Sequence, residues 1–252
     1  MQITPGKNVY FLSDFHLGAP DYSSSLVREK RIVKFLDLIK NDAQLIFILG
    51  DLFDFWYEYK SVVPKGYVRI LGKLAELSDS GVIIHFFVGN HDMWMNGYFE
   101  KELNIKVYHQ PESFKFNDKK FLIGHGDGLG PGDHKYKMLK KIFRNKFSQW
   151  LFGFWHPRTG IGLANYFSRK SRAATGINDE TFLGESKEWL IIHAKQVLET
   201  EHFDYFIFGH RHLPIDFALN PNSRYINLGD WITYFSYALF DGSDLKLNYY
   251  QD

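Results

Sequence analysis

The stretch Phe208-Gly209-His210-Arg211-His212 ends a short apolar run and supplies two histidines two positions apart. Four further polar clusters follow apolar runs of the same kind: Asp14-Phe15-His16, Gly50-Asp51, Gly89-Asn90-His91-Asp92 and Gly124-His125-Gly126-Asp127. A buried strand that ends abruptly in Gly, Asp, Asn or His places polar side chains at the carboxyl edge of its sheet, where open α/β sheets bind ligands. Five such endings predict that the fold gathers these clusters into one site.

Strand patterns alternate with helix patterns in the first part of the chain. The predicted strands are 9–12, 45–49 and 82–88, and the predicted helices are 24–40 and 64–77. This alternation is typical of βαβ units and a largely parallel sheet. Hairpin-like patterns follow at 114–123 and across 215–249, including a strand at 232–239, so antiparallel pairing enters as well. We therefore predict an α/β fold of two mixed sheets packed face to face with helices outside, forming a single domain over residues 1–252.

Residues 128–175 interrupt this pattern and are predicted to form a helical lid inserted within the domain. Apolar residues recur every three or four positions, which predicts an amphipathic helix; they are Tyr136, Leu139, Phe143, Phe147, Trp150 and Phe154. Pro157 is expected to end this helix, and 161–172 to form a second, shorter one. Because the insertion directly follows a candidate metal motif, we expect it to overhang the site.

The charge of the chain is unevenly distributed. The net charge is +1, but ten basic residues and no acidic one lie between His134 and Arg172, which leaves the remainder at −9. A basic segment on an acidic body is typical of proteins that meet an anionic partner, such as lipid headgroups, nucleic acid or a phosphorylated substrate. Aromatic residues surround the predicted helix beyond a single packing face, which favours a lipid or membrane surface over an ordinary core.

Composition narrows the metal chemistry and the expected location. The chain has no cysteine, so disulfides and thiolate metal sites are excluded and any transition metal must use nitrogen and oxygen ligands. The first residues lack the pattern of a secretory signal, and no apolar run approaches the roughly 20 residues of a spanning helix. The expected location is therefore the cytoplasm.

The five clusters have the residue types of a dinuclear metal centre. Two divalent ions about 3.5–4 Å apart share one carboxylate and need further ligands each. Each cluster alone would more often be a turn or a helix cap, but the set supports a common role. We assign Asp51 as the bridge, with Asp14, His16 and His212 on one ion and Asn90, His125 and His210 on the other. His91 is the candidate catalytic group, and Asp92 is interpreted as the carboxylate that orients it.

Taken in order over residues 13–212, the five motifs resemble those of the calcineurin-like metallophosphoesterases. The resemblance implies a four-layer α/β/β/α sandwich, a water or hydroxide nucleophile and two divalent ions, often Mn²⁺. Within that superfamily the chain resembles UDP-2,3-diacylglucosamine hydrolases of lipid A synthesis, through Gly50-Asp51-Leu52-Phe53-X-X-Trp56 and through His125-Gly126-Asp127 followed by Asp133 and Tyr136. One position departs from the pattern, because His91 stands where the best-known branch has Arg.

The resemblance implies hydrolysis of the pyrophosphate of UDP-2,3-diacylglucosamine to lipid X and UMP. The nucleotide-lipid substrate would be contacted by Asn90, His91, Asp133 and His210. The lid would face the acyl chains and bind the anionic cytoplasmic face of the inner membrane peripherally; no nucleic-acid partner is expected, and no oligomeric partner is indicated. Two alternatives remain, a phosphoesterase of the same superfamily with another phosphodiester or nucleotide substrate, and a non-catalytic membrane- or protein-binding module. The second is disfavoured because no ligand of the set is missing.

Overall fold

The computed structural model of the protein describes residues 1–132, 134–175 and 181–251. The strands within these ranges are β1 (Asn8–Leu12), β2 (Ala43–Leu49), β3 (Ile83–Phe87), β4 (Lys106–Tyr108), β5 (Glu112–Phe116), β6 (Lys119–Ile123), β7 (Tyr205–Phe208), β8 (Pro214–Asn220), β9 (Ser223–Leu228), β10 (Ser236–Phe240) and β11 (Leu245–Tyr249). The helices are α1 (Tyr22–Ile39), α2 (Val68–Asp79), α3 (Tyr98–Leu103), α4 (His134–Arg144), α5 (Lys146–Phe152), α6 (Pro157–Thr175) and α7 (Trp189–Leu198).

The strands form two mixed sheets. The first has the order β11-β10-β1-β2-β3-β4, in which β1 to β4 are parallel and the C-terminal hairpin β10–β11 joins antiparallel to β1. The second has the order β5-β6-β7-β9-β8, with parallel β6, β7 and β9 between antiparallel outer strands. Both the βαβ pattern and the hairpin pattern of the sequence are therefore present.

Apolar side chains fill the space between the two sheets and beneath the helices on either side. Phe11 of β1 stacks on Phe47 of β2 at 5.2 Å and on Phe121 of the opposite sheet at 6.1 Å, between ring centroids. Helices α1, α2 and α3 bury their apolar faces on the outer side of the first sheet, and α7 covers the outer side of the second. The predicted four-layer α/β/β/α sandwich of mixed sheets is confirmed.

Residues 134–175 contain helices α4, α5 and α6, whose boundaries differ from those predicted from sequence. The single helix predicted through Phe154 breaks at Asn145, whose extended backbone ends α4 and whose side chain accepts a hydrogen bond from the amide of Phe147 at 2.8 Å, capping α5. Pro157 begins α6 instead of ending a helix, because a proline at the first helical position loses no intrahelical hydrogen bond.

Two further differences come from local hydrogen bonding and from weak patterns. The strand predicted at 232–239 begins only at Ser236, because Asp230 Oδ1 accepts the amides of Ile232, Thr233 and Tyr234 and holds them in a turn. Helices α3 and α7 and the three-residue strand β4 were not predicted.

Candidate metal centre

Loops from both sheets meet at one edge of the sandwich. The loop after β1 is hydrogen-bonded to the loop after β2 through Asp14 N to Gly50 O at 3.1 Å, and the loop after β7 is joined to that after β6 through Gly209 N to His125 O at 2.9 Å. Glycine allows this approach: a Cβ on Gly209 would lie 2.0 Å from Ser13 Oγ, and one on Gly50 would lie 2.7 Å from the His125 ring. These contacts bring the five motifs together across the two sheets.

Five of the seven candidate ligands adopt a left-handed backbone. The residues with φ between 45° and 66° are Asp14, His16, Asp51, His210 and His212. Non-glycine residues rarely adopt this conformation, and such strain is concentrated at functional sites, where the surroundings hold it in place. The backbone conformation after β1, β2 and β7 therefore orients the candidate ligand side chains as well as turning the chain.

The first candidate ligand group consists of Asp14, His16, Asp51 and His212, whose ligating atoms all lie within 4.8 Å of one another. The Nε2 atoms of His16 and His212 are 3.1 Å apart, and His212 Nε2 is 3.1 Å from Asp14 Oδ1. The other oxygen of Asp14 accepts hydrogen bonds from Ser13 Oγ and from His210 N. One carboxylate oxygen is thus fixed by the protein while the other points at the two imidazoles.

The second group consists of Asp51, His125 and His210, again within 4.8 Å. The Leu49 carbonyl lies 2.6 Å from His125 Nδ1 and accepts its proton, which leaves Nε2 to face Asp51 Oδ2 at 3.4 Å and Asn90 Oδ1 at 3.1 Å. Asp51 Oδ2 is also 3.7 Å from His16 Nε2 of the first group. Asp51 is therefore the carboxylate common to both groups, and Asn90 joins the second.

The donor set fits two divalent cations. Asp14 Oδ1 and Asp51 Oδ2 are buried, and no residue that the structure describes gives either one a hydrogen bond of acceptable geometry. Burial alone would lower the pKa of His16 and His125, but the carboxylates around them raise both to about 10. A buried pocket that favours positive charge this strongly, lined by imidazole nitrogens and carboxylate oxygens, suits Mn²⁺, Zn²⁺ or similar ions.

His91 lies beside this centre, with its ring edge-on to that of His16 at 4.9 Å between centroids. Its Nδ1 is 3.0 Å from the backbone carbonyl of Asp54 and 3.0 Å from Ser168 Oγ on α6. Because a carbonyl can only accept, the neutral ring carries its proton on Nδ1, and Nε2 is left for substrate. The insertion thus contacts the candidate catalytic residue directly.

Asp92 does not orient His91, contrary to the interpretation from sequence. Its buried carboxylate accepts the amides of Leu52 at 2.8 Å and Gly89 at 2.7 Å, together with that of Asp51 at 3.3 Å. It therefore clamps the two loops that carry Asp51 and Asn90. Burial and the neighbouring charge of Asp51 raise the pKa of Asp92 to about 7.

Further residues support the site without being candidate metal ligands. Asp127 accepts hydrogen bonds from Tyr136 Oη at 2.8 Å and Lys140 Nζ at 2.6 Å, which fastens α4 to the loop of His125. Hydrophobic periodicity could not have identified the contact between Asp127 and Lys140, because these charged residues lie on either side of the start of the insertion. Asp133, a predicted substrate contact, lies outside the described residues.

A buried ion pair holds the loop of His210 and His212. Arg211, between the two histidines, donates to Glu188 through Nε at 3.1 Å and Nη2 at 3.3 Å, and both side chains are 1% exposed. Glu188 also accepts the amide of Leu183 at 3.0 Å. Since Glu188 precedes α7, this pair ties the ligand loop to the helix that covers the second sheet.

The fold and the site define the class of protein. A family model described as Calcineurin-like phosphoesterase matches residues 7–214, and the chain belongs to this family of metal-dependent hydrolases. Among curated relatives, UDP-2,3-diacylglucosamine hydrolase of Porphyromonas gingivalis is 40% identical over 98% of each chain, and the protein of the same name from Shewanella sp. (strain W3-18-1) is 26% identical over 88% of each. A solved structure of Yfce, a phosphoesterase from E. coli, aligns with a TM-score of 0.44 at 16% identity, covering 94% of this chain and 90% of that one.

Proposed function

We propose that the protein hydrolyses the pyrophosphate of UDP-2,3-diacylglucosamine, giving lipid X and UMP. The observation that carries the proposal is the position of the insertion, whose helix α6 reaches His91 beside the candidate two-ion centre while its aromatic side chains remain exposed. The near full-length relative from Porphyromonas gingivalis bears this activity in its name. A polar phosphoryl site under an apolar cover suits a substrate with a nucleotide at one end and acyl chains at the other.

The exposed surface of α5 and its neighbours is unusually apolar. Trp150 is 58% exposed and Phe154 is 68% exposed, and their rings pack edge-to-face at 4.5 Å between centroids. Phe147 stacks on Trp150 at 5.7 Å, so these rings form one continuous patch. Phe152, by contrast, docks inward on Tyr57 at 4.9 Å and holds α5 against the body. Contiguous exposed apolar surface of this kind marks ligand or membrane contact.

Each group of residues has a role in the proposed reaction. Asp14, Asp51 and the candidate histidine ligands would hold two divalent ions, with Mn²⁺ as the proposed metal. Such ions would supply Lewis-acid chemistry, which lowers the pKa of a water nucleophile and offsets charge on the phosphoryl oxygens. His91 Nε2 accepts a hydrogen bond in the neutral ring, and it donates a proton to the leaving oxygen once the ring is protonated. The clamp made by Asp92 keeps Asp51 and Asn90 in place during turnover.

We also propose that the insertion binds the anionic cytoplasmic surface of the inner membrane. No helix in the described part of the chain is long and apolar enough to cross a bilayer. The insertion instead combines the exposed aromatic patch with ten basic residues between His134 and Arg172. Each Lys or Arg near an anionic surface contributes about 1 kcal/mol, and aromatic rings enter the headgroup boundary.

Turnover of the lipid substrate tests the proposed function. Purified protein, stripped of metal with a chelator and reloaded with Mn²⁺, should release UMP and lipid X from UDP-2,3-diacylglucosamine. An aryl phosphodiester serves as the general substrate for the metal centre. Cleavage of the aryl diester without cleavage of the nucleotide-lipid would show a phosphoesterase with a different substrate. Loss of both activities in metal-loaded protein would show a non-catalytic module.

A further inference from the structure

A cavity of about 180 Å³ borders the candidate metal centre at His125 and Asp127. Its walls are the carboxyl end of β3, the segment that follows β4, and helix α4 of the insertion. His109 and Gln110 form one exposed rim, and Lys140 and Arg144 of α4 project from the other side. The cavity therefore opens to solvent beside the second group of candidate ligands, at the carboxyl edge of the sheets.

The cavity has an excess of positive charge. Lys140 is paired with Asp127, with Nζ 2.6 Å from Oδ2, so these two charges offset each other. Arg144 has no such partner: its Nε is buried without a hydrogen bond, and no carboxylate of the described residues lies within ion-pair distance of it. His109 lines the same cavity as Arg144, and partial desolvation together with the nearby charge of Arg144 lowers the pKa of its ring. A buried guanidinium nitrogen without an acceptor is an arrangement that an anionic ligand completes.

We propose that this cavity binds the nucleoside-phosphate end of the substrate, with Arg144 donating to a phosphate oxygen. The inference rests on the proposed function, because it assigns the polar end of the same nucleotide-lipid. The planar guanidinium matches phosphate oxygens in geometry, and His109 and Gln110 offer hydrogen-bond donors and acceptors to a base or ribose at the rim. The cavity is smaller than the roughly 300–1,000 Å³ of typical drug-sized ligand pockets, so it suits a polar head and not a pair of acyl chains.

The two sides of the site then divide the substrate by polarity. His91 contacts Ser168 of α6 on one side of the centre, whereas His125 and Arg144 line the cationic cavity on the other. The phosphorus atom under attack at the metal centre would lie between the helices with exposed aromatic side chains and the cationic cavity. This arrangement explains why α4, which is anchored to the His125 loop through Asp127, carries the cavity's cations while α5 carries exposed rings.

Inhibition by UMP tests the assignment without requiring the lipid substrate. UMP should inhibit aryl phosphodiester hydrolysis by the Mn²⁺-loaded wild type, and calorimetry should measure its dissociation constant directly. Arg144→Gln should raise both the inhibition constant and the dissociation constant for UMP roughly 10- to 100-fold, the range expected for loss of one charged hydrogen bond. Lys141→Gln removes an equal charge from an exposed residue three positions earlier on α4 that does not line the cavity, and it should leave UMP binding and aryl diester turnover near wild-type values.

The remaining outcomes separate this assignment from others. If the cavity also holds the nucleoside, wild type should bind UMP more tightly than inorganic phosphate, and Arg144→Gln should weaken both because Arg144 contacts the phosphate that they share. Equal affinities of wild type for phosphate and UMP would reduce the site to a phosphate site and overturn the nucleoside part. The proposal would be overturned if UMP failed to bind wild type or if Lys141→Gln weakened UMP binding as much as Arg144→Gln. It would also be overturned if Arg144→Gln weakened inhibition by lipid X as much as inhibition by UMP. Absence of nucleotide-lipid turnover with intact UMP binding would instead refute the proposed function.

Discussion

Replacing Arg211 with methionine should strongly destabilise the fold, because it leaves the carboxylate of Glu188 buried without its cation. Glu188 would lose the two hydrogen bonds from Arg211 Nε and Nη2 and retain that from the amide of Leu183. Both side chains of the pair are 1% exposed, so solvent does not screen the loss. Removing one partner of a buried pair costs about 3–5 kcal/mol.

The loss should be measured by thermal and urea unfolding after chelation of metal, because ion binding to the folded state would otherwise add to its stability. For a chain of this size, 1 kcal/mol shifts Tm by about 2–4 °C, so Arg211→Met should lower Tm by roughly 6–20 °C. The double variant Arg211→Met with Glu188→Leu should recover most of the loss, since an apolar pair of similar volume can replace a buried ion pair at little cost.

An exposed ion pair whose lysine lies on α7 provides the matched control. Lys195 contacts Glu185 at 2.8 Å, but the two side chains are 44% and 58% exposed, and Lys195→Met should cost about 1 kcal/mol or less. Two results would contradict this prediction: a free energy of unfolding for Arg211→Met within 1 kcal/mol of wild type, or a double variant no more stable than the single one. Either result would mean that the buried pair contributes no more than a surface contact.

Three further predictions concern the site and the insertion. Asp51→Ala should abolish turnover and reduce metal content by at least one ion per chain; two bound ions in an active variant would rule out the shared-ligand assignment. His91→Ala should retain both ions by elemental analysis and lower kcat by roughly 10²–10⁴, the scale of general acid–base catalysis, and an unchanged kcat would remove His91 from the mechanism. The double variant Trp150→Ala with Trp155→Ala should weaken sedimentation with anionic liposomes and turnover of the nucleotide-lipid while the aryl diester is still cleaved. Equal loss of both activities would make these rings structural.

The sequence alone determined the architecture and the candidate ligands. Each ligand lies within a few residues of the end of a buried strand, and parallel strands place their carboxyl ends at a common edge of the sheet. Asp14, Asp51 and His125 were therefore predictable as neighbours, although they are far apart along the chain. The alternation of strand and helix patterns, together with the hairpin patterns, was likewise sufficient to predict two mixed sheets with helices outside.

The tertiary structure decided which polar groups meet. Asp92 was interpreted as the carboxylate that orients the His91 imidazole, but it accepts the backbone amides of Gly89 in its own loop and of Leu52 in the loop after β2. Glu188 and Arg211 are distant in sequence and carry no shared motif, yet they form a buried pair. Periodicity reports whether a residue faces a core, because burial depends on its own strand or helix. It does not report which partner satisfies a buried charge, because that depends on how separate elements pack.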